Sequence, residues 1–393
     1  MAVNYYGMYQ GIADNIRRYE REQGADPHER MLETLQAPYN ELRNYEEFLS
    51  ALRGQITAEE AEVWSVYPDY ALDMVSRTPD EVRTAVREAL RPHVEVLSES
   101  LARKKFLIAS HDEAGNLSYT RTYLFWLASS YIYHPDNSPL SDAILHWWND
   151  LVDRGDSAYL REPYPTCRVM PHEGTITGKQ KYGRIPMNLE IPDTREVIPD
   201  MDRMETVLRS CRRFAVMRCL CRTAKEQTHS RACDYPVEDV CILIDQLADV
   251  LIESGEAREI DREEAEQIIR RCRDMGLVQM ISNAAYPLSV CNCCECCCLC
   301  MRSIRRYEDT MAEVSRYAAD AAHRENCIGC GACERICPME AVSLEGGTLQ
   351  LNGGKCIGCG LCVSKCPKGV LKMVTRPGAA ERVIQKKLDR PYL

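Results

Sequence analysis

Apolar residues recur at helical spacing along several stretches of the chain, and start and stop signals bound many of them. Thr57-Ala-Glu-Glu60 precedes one such stretch and predicts a capping box. Thr78-Pro79-Asp80-Glu81 opens another, with Thr78 as N-cap and Pro79 in the first turn. A third helix is predicted from about His93 to Lys104. Phe106-Leu107-Ile108, a polar turn over 112–116 and the Tyr- and Thr-rich stretch Leu117 to Phe125 then predict a β-hairpin. Residues 126–200 look less regular. Their prolines (Pro163, Pro165, Pro171, Pro186, Pro192, Pro199) suggest an extended connector. Further on, helices are predicted over Met201 to Arg212, Val237 to Glu253 and Asp261 to Met275, the last with Asp261 as N-cap and Gly276 past its end. Phe214 to Met217 and Leu277 to Ile281 predict strands. An amphipathic helix is expected over 301–325, striped by Met301, Ile304, Met311, Val314, Ala318 and Ala321.

Three helices and a hairpin follow the order of a winged-helix domain, which residues 57–125 resemble. The resemblance offers DNA binding through the helix at 93–104. Yet Arg91, Arg103, Lys104 and Lys105 lie among Glu95, Glu99 and Asp112, which favours a packing or docking module. The net charge of −10 over 393 residues also argues against nucleic acid as a partner. No apolar run of about 18 residues predicts a membrane span. The opening MAVNYYGMYQ has neither a basic start nor an apolar core, so a cytoplasmic location is expected. A Gly174-to-Lys179 stretch has the wrong spacing for a phosphate loop, and no dinucleotide fingerprint follows a strand.

Cysteine changes the picture. There are 22, none in the first 166 residues, and most fall in tight clusters. Neighbours that close pair poorly in disulfides but suit metal. Cys327-x2-Cys330-x2-Cys333-x3-Cys337-Pro338 is repeated 29 residues later as Cys356-x2-Cys359-x2-Cys362-x3-Cys366-Pro367. Three thiols at short spacing wrap one cubane, while the fourth leaves on a turn fixed by proline and reaches the other. Zinc sites more often use two CxxC pairs. This segment resembles two-cluster bacterial ferredoxins. The resemblance implies crossed ligation of two [4Fe–4S] clusters: cluster I by Cys327, Cys330, Cys333 and Cys366, and cluster II by Cys356, Cys359, Cys362 and Cys337.

Upstream lie Cys219-Leu-Cys221-Arg222, Cys233, Cys241 and the run Cys291-Asn-Cys293-Cys294-Glu-Cys296-Cys297-Cys298-Leu-Cys300. Thiolates this crowded repel one another unless a cation neutralises them. With Pro236, Gly276-Leu277, Asn283 and Asn292, residues 185–375 resemble a group of ferredoxin-like iron–sulfur proteins of anaerobes. The group's glycine inside the second run is Glu295 here. Cys219, Cys221, Cys233 and Cys241 are expected to hold a third [4Fe–4S] cluster. The run containing Cys291, Cys293, Cys294, Cys296, Cys297 and Cys298 either shares that site or binds a fourth metal centre. Cys167, Cys211 and Cys272 stand alone.

The expected fold is α+β and multidomain. Residues 1–166 form a cysteine-free, mainly helical domain and 167–300 a cysteine-rich metal-binding domain. A linking helix spans 301–325, and a dicluster ferredoxin domain with a C-terminal tail covers 326–393. The expected function is electron transfer to a partner oxidoreductase, a flavoprotein or another iron–sulfur protein, more than stand-alone enzymology. The alternatives are a redox-enzyme subunit whose NCCxCCC centre performs chemistry, and an iron–sulfur redox-sensing regulator.

Overall fold

The computed structural model describes residues 26–36, 44–68, 76–111, 115–122, 124–153, 167–172, 175–176, 203–253, 255–282, 287–307 and 312–376. They fall into two compact units. One comprises described residues from 26 to 153 with 223–230, the other 167–222 with 231–376.

The first unit is helical with one hairpin. It contains α1 (Pro27–Gln36), α2 (Tyr45–Gln55), α3 (Ala58–Ser65), α4 (Pro79–Val82), α5 (Val94–Arg103), β1 (Leu107–His111), β2 (Leu117–Arg121), α6 (Leu124–Tyr133) and α7 (Pro139–Asp153). The expected capping box at Thr57 and the expected N-cap at Thr78 are present, and the second is also a capping box. Thr57 accepts from the Glu60 N–H and Thr78 from the Glu81 N–H, and each glutamate returns the bond. Such a cap stabilises a helix by about 1 kcal/mol. The hairpin pairs Leu107 with Arg121 through His111 with Leu117. The strand expected to reach Phe125 ends at Arg121, and the irregular stretch expected from 126 is helical as far as 153. Pro139 supplies the fixed φ of a first turn and the Ser138 Oγ accepts from the Ser141 N–H, so α7 has its own start signal. The core closes on buried Phe48, Trp64, Leu101 and Phe106, with the Trp64 indole donating to the Phe106 carbonyl at 2.9 Å. The connector prolines other than Pro171 lie outside the described residues.

The second unit is built on a seven-stranded sheet. Its elements are β3 (Cys167–Val169), α8 (Met204–Ser210), β4 (Phe214–Met217), the first turn of α9 (Leu220–Gln227, whose residues from 223 on belong to the first unit), β5 (Cys241–Ile244), α10 (Asp245–Glu253), β6 (Arg258–Ile260), α11 (Arg262–Asp274), β7 (Val278–Ser282), β8 (Ser289–Cys293), α12 (Leu299–Arg306) and β9 (Ala312–Glu313). The strand order is β6-β4-β5-β8-β7-β3-β9, antiparallel except for the parallel pair β3–β9. Strand periodicity sorts the side chains by face. Ile242, Ile244, Ile281 and Val290 pack with Ala265, Ile268 and Ile269 of α11. Val278, Met280 and Cys293 pack on the other face with Met301, Met339, Ile357 and Leu361.

Two expected helices are corrected. Val237 to Glu253 contains Val240-Cys-Ile-Leu-Ile244, whose last four residues are the inner strand β5, and the helix starts at Asp245. A short apolar run carries no period that separates a buried strand from a helix. Asp245 makes the switch in the left-handed region at φ 48°, and its carboxylate accepts from the Arg212 and Arg213 N–H groups at 2.7 and 3.0 Å. The linking helix expected over 301–325 stops at Arg306 and gives way to β9 and β10 (Tyr317–Ala321). Tertiary pairing overrides the apolar stripe there. The edge strand β10 lies antiparallel on β13 (Leu371–Thr375), with Tyr317 opposite Thr375. Asp261 caps α11 as expected, accepting from the Glu264 N–H at 2.8 Å.

Between β10 and β13 the chain forms two matching halves, α13 (Ala332–Arg335) and α14 (Leu361–Ser364), around the hairpin β11 (Val342–Glu345) and β12 (Thr348–Leu351). Gly358 shows why glycine is required in these loops. Its φ is +73°, and a Cβ there would lie 2.0 Å from the Tyr317 carbonyl oxygen.

Candidate metal centres

The C-terminal repeat shapes two recesses. One, of about 350 Å³, is lined by Cys327, Cys330, Cys333 and Cys366. The other, of about 440 Å³, is lined by Cys337, Cys356, Cys359 and Cys362. Each draws three cysteines from one repeat and one from the other, because α13 and α14 carry the chain away from its own loop. The two fourth cysteines are held alike, with the Ala341 N–H donating to the Cys337 Sγ and the Val370 N–H to the Cys366 Sγ, both at 3.3 Å. Burial pushes the Cys359 thiol up to about 12 and raises Cys333 and Cys362 as well. Free thiolates are costly here, so a bound cation must offset their charge. Donor type, donor number and N–H groups aimed at sulfur all fit a cubane.

The upstream cysteines divide into two sets. Cys233, Cys294, Cys296 and Cys297 place their sulfurs within 4.8 Å of one another. The Cys233 Sγ is 3.9 Å from Cys294 and 3.8 Å from Cys297. The sequence set of Cys219, Cys221, Cys233 and Cys241 is therefore not kept together. Cys219 is hydrogen-bonded to Cys241, and Cys221 to Cys298. Cys241 also meets Cys291, which meets Cys293, which in turn meets Cys298. The run from Cys291 to Cys300 thus feeds both sets. Cys294, Cys296 and Cys297 go to one, and Cys291, Cys293, Cys298 and Cys300 to the other.

Two functional features escape sequence reasoning. The first is Cys167, whose Sγ is 3.1 Å from that of Cys300, 133 residues away. No local spacing signals that pairing. The second is the role of Arg222, which is fully buried. It donates to the Asn292 carbonyl at 2.7 Å and the Pro236 carbonyl at 3.0 Å, and it lies over the Tyr235 ring at 5.8 Å. Burial opposes its charge, but the thiolates of Cys219, Cys294 and Cys293 hold it protonated, with its pKa above the usual arginine value. In return Cys294 drops to about 4, through its hydrogen bond with Cys297 and then the Arg222 charge. Asn292, the leading Asn of NCCxCCC, is buried on the face opposite Cys291 and Cys293. It accepts from Gln279 at 3.0 Å and donates to the Val240 carbonyl at 2.8 Å, fixing β8 against β5 and β7. Cys211 and Cys272 are single thiols raised to about 11 by burial.

Residues 326–370 match the family described as the 4Fe-4S dicluster domain, and this C-terminal part of the chain is a ferredoxin-like 4Fe-4S domain. No curated protein and no solved structure matches the chain. Among the described residues no helix is long and apolar enough to cross a membrane.

Proposed function

We propose that the protein passes single electrons through the two clusters of its C-terminal domain, and through a further upstream centre, to a partner oxidoreductase of the flavoprotein or iron–sulfur class. The observation that carries this reading is the pair of four-cysteine recesses, each assembled from both repeats. Cluster I would be held by Cys327, Cys330, Cys333 and Cys366, and cluster II by Cys356, Cys359, Cys362 and Cys337. The third centre is assigned to Cys233, Cys294, Cys296 and Cys297, in place of the set read from sequence.

A cubane bound by four thiolates supplies reversible one-electron chemistry. The chain's own residues set its environment. Ala341 and Val370 aim N–H groups at the fourth sulfur of each site, and Arg222 places a permanent charge beside Cys294. Cys330 is exposed and Ile328 is 60% exposed, which supports cluster I as the end that meets the partner. Cys337, Cys356 and Cys359 pack in the same apolar cluster as Cys291, Cys293 and Cys298, which supports cluster II as the end that faces the upstream thiols. In the first unit, three helices followed by a hairpin support a winged-helix-like docking module. Lys104 is 2.7 Å from the buried Glu60, which removes one cation from any DNA-reading face.

The test is a stopped-flow experiment under anaerobic conditions, in which the reduced protein is mixed with a one-electron flavoprotein acceptor. Rapid recovery of the oxidised iron–sulfur absorbance with matching flavin semiquinone formation is expected. A protein that cannot be reduced, or whose reduced form gives up no electrons, would refute the proposal.

A further inference from the structure

Of the 22 cysteines, twelve belong to the three sets above, and Cys211 and Cys272 stand alone. The eight that remain form one continuous chain of contacts running from the end of β4 to β3. Cys291 and Cys293 sit two residues apart on β8 and so point the same way. From Cys291 the contacts run to Cys241 at the start of β5, and from there to Cys219 just beyond β4. From Cys293 they run to Cys298, the residue before α12. Cys298 also meets Cys221 in the first turn of α9, and it meets Cys300. Cys300 closes the line on Cys167 of β3 at 3.1 Å.

We propose that these eight cysteines build one pocket for a single iron–sulfur centre larger than a cubane, of about eight irons, with Cys298 at its middle. One zinc ion takes four ligands and one cubane takes four thiolates, so neither uses eight thiols. Two separate four-thiol sites would need a boundary. Cut at its midpoint into quartets, the line would still leave Cys298 in contact with Cys293 across the cut as well as with Cys221 and Cys300 on its own side. The one charge that Arg222 brings to Cys219 and Cys293 cannot offset eight buried or half-buried thiolates, which demand a larger compensating positive charge. A polynuclear iron core supplies it. The four-thiol set at Cys233 lies outside this line, because its own sulfurs close on one another.

The inference rests on the reading of the chain as an iron–sulfur protein, and the two can fail separately. Iron, zinc and acid-labile sulfide are measured on the full chain purified without oxygen, together with a Mössbauer spectrum, for wild type and Cys298→Ala. Wild type should carry about twenty irons, and the variant about twelve with the signals of the C-terminal pair intact. A wild-type content of about twelve, zinc in the pocket, or a loss of only about four irons in Cys298→Ala would overturn the single centre. Loss of the C-terminal signals in wild type would sink the electron-transfer reading instead. Should Cys298→Ala fail to fold, the wild-type Mössbauer spectrum decides. About two-fifths of the iron in a component distinct from isolated cubanes supports the proposal, and all of it in isolated cubanes overturns it.

Discussion

Replacing Arg222 with Met removes a charge from the upstream thiols while leaving a long side chain in the same space. Arg222 is fully buried, so no water replaces its field. Taking a separation of about 7 Å and an effective dielectric near 20, one unit charge contributes roughly 2.4 kcal/mol to the added electron. For a one-electron couple, where a tenfold change in equilibrium corresponds to 59 mV, that is roughly 100 mV. Losing a positive charge disfavours reduction. The midpoint of the centre at Cys233, Cys294, Cys296 and Cys297 should therefore fall by about that amount. The C-terminal pair, whose cysteines are not among the thiolates that hold the Arg222 charge, should stay put. The assay is a potentiometric titration followed by electron paramagnetic resonance under anaerobic conditions. Arg222→Lys keeps the charge but cannot bond both the Pro236 and Asn292 carbonyls in the same fork, so it should move the midpoint less. An Arg222→Met protein that loads its iron and shows every midpoint unchanged would refute the electrostatic role assigned here.

Gly358→Ala should abolish loading of cluster II, since the left-handed backbone costs about 1–2 kcal/mol and the added Cβ also strikes the Tyr317 carbonyl; Gly115→Ala, at φ +82° with open space, should show the backbone cost alone in thermal melts. Burial works to raise the Glu60 pKa, but Lys104, Ser100 and the Thr57 N–H together hold it below the usual glutamate value. Its folded pKa is thus the lower one. The stabilisation is complete above the ordinary glutamate range and is lost as pH falls through the depressed value. Glu60→Gln should cost about 1–3 kcal/mol at neutral pH in denaturant melts and flatten that acid-side loss. Asp261→Ala should cost about 1 kcal/mol through loss of the α11 cap, read by the same melts. Cys337→Ser should perturb the centre of the second repeat rather than the first, as seen in the iron content of variants paired with Cys356→Ser; matching behaviour with Cys327→Ser would contradict crossed ligation.

What was legible in the sequence was what local chemistry decides. The caps at Thr57, Thr78 and Asp261 each satisfy a backbone N–H three residues on, so their pattern is contained in four residues. The hairpin at 107–121 and the two C-terminal cysteine repeats are equally local. The misses share one cause, that partners distant in sequence decide the outcome. Cys241 to Ile244 becomes a strand because β4 and β8 flank it. Tyr317 to Ala321 becomes a strand because residues 371–375 pair with it. Cys233 joins thiols more than sixty residues away, at Cys294 and Cys297. Cys167 is joined to Cys300 by the strand order of the sheet, which no spacing rule encodes.

The most direct test of the central claim is a reductive titration of the anaerobically purified full chain, monitored by electron paramagnetic resonance. The account predicts that the two C-terminal centres each take up one electron reversibly, and that their signals interact because Cys333 and Cys362 lie close enough to feel one another's charge. A chain that binds zinc without sulfide, or that shows no reducible centre in the C-terminal domain, would contradict it.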